Sequence, residues 1–203
     1  MKKCEEFFLK NKPSFLYGIT NIKQLKERTG EVGIAFIGKS NVGKSSLINA
    51  ITNSKISISS KTPGRTREIN FFNIANKIIF ADMPGYGFAL ASEEQKSQWR
   101  YLIYDYLNTS KKLKLIFVLI DSRKGLMSDD IDLLYMLDEL NINYQIILTK
   151  IDCINKSELQ DVLVKTNNEL VNHTLANKSI IAVSSSKKYG LFEIKDIIYN
   201  LIK

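Results

Sequence analysis

Histidine is almost missing from these 203 residues: His173 stands alone, which excludes a histidine-built metal centre and a Ser-His triad. His173 itself reads as a polar position on a late helix. Cysteine is nearly as scarce, and Cys4 and Cys153 have neither metal-ligand spacing nor a secretory context, so both read as reduced thiols. With only three prolines, no internal repeat and no low-complexity tract, nothing marks a linker between two domains. Long apolar runs are absent too. The longest, residues 115–120, lies between Lys114 and Asp121 and suits a buried strand, whereas a bilayer needs about 20 apolar residues. Residues 1–12 mix Lys, Glu and Phe without the apolar stretch of a secretory signal, and no lipidation motif is present. The expectation is a cytoplasmic protein with no membrane insertion.

What is present suffices for a core: 44% hydrophobic and 25% charged residues are ordinary for a globular domain. The formal net charge is +8, which points to an anionic partner, RNA more naturally than a membrane, or else to a solvated basic surface with no partner. Residues 1–29 read as an N-terminal arm, with a short amphipathic stretch at 5–10 and an irregular segment through Pro13 and Gly18. From residue 30 to 203, strands alternate with helices. Runs at 32–37, 78–81, 115–120, 144–148 and 180–183 have strand length and are rich in Ile and Val, as in a parallel sheet covered on both faces. Residues 68–75 read as a further strand, joined to the next by a tight turn at Asn76, hence an antiparallel edge. Trp99, Leu102, Ile103 and Tyr106 fall on one helical face, with Ser92 as N-cap and Trp99 expected in the core. Ile131, Leu134, Tyr135 and Leu137 mark another helix, and Ser157-Glu158-Leu159-Gln160 has the form of a capping box. The expected fold is α/β, a doubly wound, mostly parallel sheet with one antiparallel edge strand and helices on both faces. Ligands of such sheets sit at the carboxyl ends of the strands.

The chemistry-bearing motifs follow strands. Gly38-Lys39-Ser40-Asn41-Val42-Gly43-Lys44-Ser45 satisfies G-x-x-x-x-G-K-[ST] between a strand and a helix, with Ser46 continuing the helix start. Its glycines let backbone N–H groups wrap a phosphate, Lys44 should reach the β- and γ-phosphates, and Ser45 should ligate Mg²⁺. Asp82-Met83-Pro84-Gly85 follows the strand ending at 81; Asp82 is placed to hold the metal through water, and Gly85 lets its N–H approach a γ-phosphate. Thr149-Lys150-Ile151-Asp152 ends another strand. One carboxylate, Asp152, can accept both N1–H and N2–H₂ of guanine; adenine offers neither, and a buried Asp152 left unpaired would reject it by roughly 10⁴-fold or more. The stem of Lys150 would cover the base, and the run Val183, Ser184, Ser185 and Ser186 can offer backbone N–H groups to O6. Between the first two motifs, residues 59–67, with Thr62, Pro63, Gly64, Arg65, Thr66 and Arg67, read as a switch loop in which Thr62 and Thr66 both qualify as a γ-phosphate-dependent Mg²⁺ ligand, and Glu68, at the start of the next strand, is a further nucleotide-site candidate.

Together the P-loop form G-K-S-N-V-G-K-S-S, the segment K-T-P-G-R-T, the run D-M-P-G-Y-G-F-A, the later D-S-R-K-G-L and T-K-I-D resemble the EngB family of bacterial GTPases, within the translation-factor-related class that includes Era. The resemblance covers about residues 30–203. It implies a GTPase acting in assembly of the large ribosomal subunit (ribosomal RNA and proteins, not DNA) and associated with normal septation in cell division. It also implies that Thr66, with Ser45, ligates Mg²⁺. Asn41 resembles the P-loop Asn through which related GTPases hold K⁺ at the phosphates; its other role would be loop stabilisation.

Many GTPases carry a Gln just after D-x-x-G to orient the attacking water. Here that position is Tyr86, so catalysis is expected to rest on Lys44, Asn41 and the backbone at Gly85, with a slow intrinsic rate. Two other readings stand beside this one: a GTP-dependent binding scaffold with hydrolysis only as a timer, and a P-loop small-molecule kinase, which would have no use for T-K-I-D and would need an Arg-rich lid that the sequence lacks.

Overall fold

Alternate residues of the Ile- and Val-rich runs enter two separate cores, and the sheet between them fixes the architecture. In the computed structural model the residues described are 2–26, 31–57, 68–87 and 93–203, without the side chains of 93–96 and 99. Seven strands form one sheet: β1 (Ser14–Ile19), β2 (Val32–Gly38), β3 (Ile69–Ile74), β4 (Ile78–Asp82), β5 (Leu113–Asp121), β6 (Tyr144–Thr149) and β7 (Ile181–Ala182), in the order β1-β3-β4-β2-β5-β6-β7. β4, β2, β5, β6 and β7 are parallel, while β3 runs antiparallel to β4 and to β1. The helices are α1 (Lys3–Lys10), α2 (Lys44–Thr52), α3 (Glu93–Thr109), α4 (Ser128–Glu139), α5 (Lys156–Leu170) and α6 (Leu191–Asn200). Ile34, Phe36, Phe117 and Leu119 pack with Leu47, Ile48 and Ile51 of α2 and Ile194 and Ile198 of α6. Ala35, Ile37, Ile116 and Val118 pack with Leu102 and Tyr106 of α3, Leu134 of α4 and Leu170 of α5. Both faces are covered, which is why these strands read as continuous apolar runs. The sheet is doubly wound and mostly parallel, with β2 at the point where strand order reverses and ligands gather.

Several local expectations change. Residues 14–19 are not irregular: they add β1 outside β3, so the antiparallel part of the sheet is two strands wide and β3 is not its edge. β1 is half-exposed and has one neighbour, hence no buried run, and Gly18 lies under the Glu68 carboxylate rather than in a turn. The 5–10 stretch forms α1, whose buried Cys4 and Phe8 dock it on the sheet face held by α2 and α6. The tight turn at Asn76 is present, with Ala75 and Asn76 both at positive φ and the Asn73 side chain accepting the Asn76 N–H. The α5 capping box belongs to Asn155 and Glu158, two residues earlier than Ser157 and Gln160. Leu134 and Leu137 of α4 are buried, whereas Tyr135 is exposed. Leu102, Ile103 and Tyr106 lie in the core as expected; the Trp99 side chain and Ser92 lie outside what is described. His173 follows α5 and is fully buried, its Nδ1 paired with Asp138 at 2.6 Å. Both cysteines are free, and among the described residues no helix is long and apolar enough to cross a membrane.

Candidate nucleotide-binding site

The carboxyl ends of β2, β4, β5 and β6 terminate in Gly38, Asp82, Asp121 and Thr149, and the loops that follow them are tied together. After Gly38 the chain turns through Asn41 (φ 62°) and Gly43 (φ 104°) before α2 begins at Lys44. Left-handed residues among right-handed ones aim successive N–H groups to one side, the geometry of an anion cradle. The first turn of α2 carries no acidic side chain, so the positive end of the helix is uncompensated. Val42 is buried and anchors the loop, leaving only its backbone to a ligand; Ser45 is half-buried and Ser46 exposed beyond it.

Asp82, at the end of β4, is almost entirely buried, and the Lys44 ammonium lies directly on its Oδ1. Ser57 donates its hydroxyl to Asp82 Oδ2 at 2.6 Å. Met83 packs in the core and Pro84 is buried, so mainly their backbone is available. Gly85 packs on the P-loop: a Cβ there would stand 3.0 Å from Cα of Ser40, so any side chain would push the P-loop backbone away. Tyr86 continues the contact, accepting the Ser40 N–H at 2.8 Å. Its ring is turned away from the loop and buried, with the phenol donating to Asp130 of α4 at 2.5 Å. Burial, reinforced by the Asp130 carboxylate, pushes that phenol far above its ordinary range. Tyr86 therefore has no part in orienting a water as a Gln would.

The T-K-I-D segment is bonded to the P-loop directly. Thr149 donates its hydroxyl to the Val42 carbonyl (2.7 Å) and lies 3.2 Å from that of Ile120, while Lys150 Nζ donates to the Asn41 carbonyl (2.5 Å) and to Asp121 Oδ2 (2.8 Å). Ile151 packs against the core and its N–H reaches the Val183 carbonyl at 3.3 Å. Asp152 is exposed, not buried as the guanine argument supposed; a stacked base must itself exclude the water around it. Hydrogen bonds from Ser184 and Ser186 hold its carboxyl below the ordinary range, Ser186 donating at 2.9 Å. Val183 and Ser184 are buried and Ser185 half-buried, so the last loop presents mainly its backbone.

Glu68 stands at the start of β3 over Gly18 of β1. Thr62, Gly64, Arg65, Thr66 and Arg67 lie outside the described residues. Sequence reasoning missed Ser57 as a site group, and it gave Ser186 a backbone role only, not the hydroxyl contact to Asp152; neither side chain has a spaced motif of its own. It also gave no role to Asp121. That carboxylate takes Arg123 through Nε on Oδ1 (2.9 Å) and Nη2 on Oδ2 (2.7 Å), besides Lys150. Burial would raise its pKa, but the hydrogen bonds from Arg123 and Lys150 outweigh it and hold the carboxyl well below the usual carboxylate range. A depressed folded-state pKa contributes stability above the unfolded value, about 4, that is lost as pH falls through the folded one. Asp121→Asn is therefore expected to lower the melting temperature at neutral pH, with the gap to wild type closing below about pH 4. Thermal melts across pH check this, and an equal gap at both ends of the range would contradict it.

The donor set suits magnesium. Ser45 and Asp82 are hard oxygen donors, and the Lys44 ammonium already stands as the cation against Asp82. Among the described residues no group of three or more His, Cys, Asp or Glu could hold a metal alone, so a metal here would need further oxygens, which phosphates and water can supply.

A 50S ribosome-binding GTPase family model matches residues 33–150, and an elongation factor Tu GTP binding domain model matches residues 103–203. The probable GTP-binding protein EngB of Bartonella tribocorum is 41% identical over 198 residues, covering 93% of this chain and 92% of that protein. Its counterpart in Rickettsia bellii is 42% identical over 195 residues, covering 96% and 90%. Among solved structures, a probable GTP-binding protein engB superposes with a TM-score of 0.68 at 26% identity, covering 84% of this chain and 98% of that one. Era in complex with MgGDPNP and a segment of 16S ribosomal RNA gives 0.68 at 26%, covering 87% and 58%. The small-molecule kinase reading is thereby set aside, because identity of this extent over nearly the whole chain places it in the EngB family of GTP-binding proteins: it is a P-loop GTPase.

Proposed function

We propose that this GTPase is a magnesium-dependent switch with a slow intrinsic rate, acting in the cytoplasm on assembly of the large ribosomal subunit and through it on normal cell division and septation. The observation that carries the switch is the grip of Asp82 on Lys44 and Ser57. To reach a phosphate, Lys44 must leave Asp82. Asp82 then keeps only the Ser57 hydroxyl of these two contacts, and Ser57 directly precedes the segment that contains Thr62 and Thr66. Nucleotide at the P-loop is thus felt at the entry to the switch segment. Ser45, Thr66 and, through water, Asp82 would hold magnesium, which supplies charge neutralisation at the β- and γ-phosphates. The MgGDPNP bound by Era supports that reading. With the Tyr86 ring committed to Asp130, Lys44 and the Gly85 N–H carry the stabilisation of developing charge, and Asn41 offers a side-chain oxygen to a potassium ion beside the phosphates.

The partner is argued from charge and kinship. The net charge is +8, Lys111, Lys112, Lys114, Lys187 and Lys188 are all exposed, and the matching family model is described as 50S ribosome-binding. Contacts to an RNA backbone release counterions, so binding should fall steeply with salt. GTP-loaded protein is expected to pellet with large subunits more than GDP-loaded protein. The double variant Arg65→Ala, Arg67→Ala is expected to bind less and to lower the log–log salt slope by about two. Equal pelleting with both nucleotides would remove the switch, and salt-independent binding would remove the RNA contact.

A further inference from the structure

The first turn of α4 carries two adjacent aspartates, and each takes a side chain from a different part of the nucleotide site. Asp130, only 3% exposed, accepts the Tyr86 hydroxyl on Oδ1 at 2.5 Å and the Met127 N–H on Oδ2 at 2.8 Å. Asp129 accepts Lys39 Nζ at 2.9 Å. Lys39 belongs to the P-loop, and its stem passes against Gly87. Tyr86 is also held by its backbone, its N–H on the Gly38 carbonyl at 3.3 Å and its carbonyl on the Ser40 N–H at 2.8 Å. Gly85, between Asp82 and Tyr86, is therefore clamped between the P-loop on one side and a tyrosine anchored to α4 on the other.

A phenylalanine would fill the space of Tyr86 with no buried hydroxyl to satisfy. The hydroxyl and the buried carboxylate supply what packing alone does not: one fixed position of residue 86 along α4, because displacement strands both groups.

We propose that Asp130 is a positioning residue for GTP hydrolysis, fixing through Tyr86 the Gly85 N–H against the P-loop, with the Asp129–Lys39 pair as the second tie. The proposal rests on the placement of Gly85 at the γ-phosphate, and Gly85→Ala tests that placement separately: it should abolish turnover. Tyr86→Phe and Asp130→Ala are expected to lower kcat by about tenfold or more, since a misplacement of ångström size costs up to about a hundredfold. KM for GTP and affinity for GDP should stay close to wild type, because the P-loop still binds the nucleotide. Asp130→Asn keeps an acceptor for the hydroxyl and should recover part of kcat. Steady-state hydrolysis and GDP titration of the four variants decide the matter. Wild-type kcat in Tyr86→Phe would overturn the proposal, as would a loss in GDP affinity equal to the loss in kcat. Should Asp130→Ala fail to fold, Tyr86→Phe, which keeps the ring in the core, decides alone.

Discussion

Asp152→Asn is expected to weaken GTP and GDP binding by on the order of 10²- to 10³-fold, and to improve binding of xanthosine nucleotides. That range corresponds to losing one partner of a charged hydrogen bond that the bound base desolvates. The carboxylate offers two acceptors to the two donors on the guanine edge, whereas an asparagine presents a donor that suits the xanthine 2-oxo group. The surroundings permit the change. Asp152 is exposed in the folded chain, so the substitution strands no core group and should leave the fold's stability near wild type. Ser186 and Ser184, which hydrogen-bond the carboxylate, carry hydroxyls that can turn to accept from an amide. Fluorescence titration with guanosine and xanthosine diphosphates provides the comparison. Unchanged GDP affinity would remove Asp152 from the base-reading role and leave guanine selection to the backbone of the 183–185 loop.

What sequence could reveal about this site follows the range of the interactions. The phosphate loop, the Asp82–Gly85 turn and the Thr149–Asp152 turn are each a few residues long and directly follow a strand, so residue type and spacing identify them without tertiary knowledge. Their ties to one another are different in kind. Lys150 reaches Asn41 across 109 residues, Tyr86 reaches Asp130 across 44 and Ser57 reaches Asp82 across 25. No periodicity encodes such pairs. The same limit explains His173, whose partner Asp138 lies 35 residues away and which looks like any polar residue after a helix until the two are brought together. The parallel strands were legible because burial on both faces leaves unbroken apolar runs; β1 was not, because an exposed edge strand that follows Pro13 and contains Gly18 keeps only part of that pattern.

The remaining large effect is expected at Lys44, where two consequences can be separated. Lys44 opens α2 with its side chain mostly buried, and its ammonium sits on the equally enclosed Asp82. Lys44→Ala removes the only cation bonded to Asp82 among the described residues and leaves a buried carboxylate with the Ser57 hydroxyl as its remaining side-chain partner. Breaking a buried ion pair by removing one side destabilises by roughly 3–5 kcal/mol in well-enclosed cases. The nucleotide-free variant should therefore melt at a lower temperature than wild type. Nucleotide affinity should fall independently, by about 10²- to 10³-fold, through loss of the charge that meets the β- and γ-phosphates. Adding Asp82→Asn separates the two, because the double variant no longer buries an unpaired charge. Its melting temperature without nucleotide should return toward wild type, while the stabilisation that wild type gains from added GDP should stay absent. Recovery of GDP stabilisation in the double variant would mean that Lys44 serves only to neutralise Asp82 and that the phosphates are held by the P-loop backbone alone.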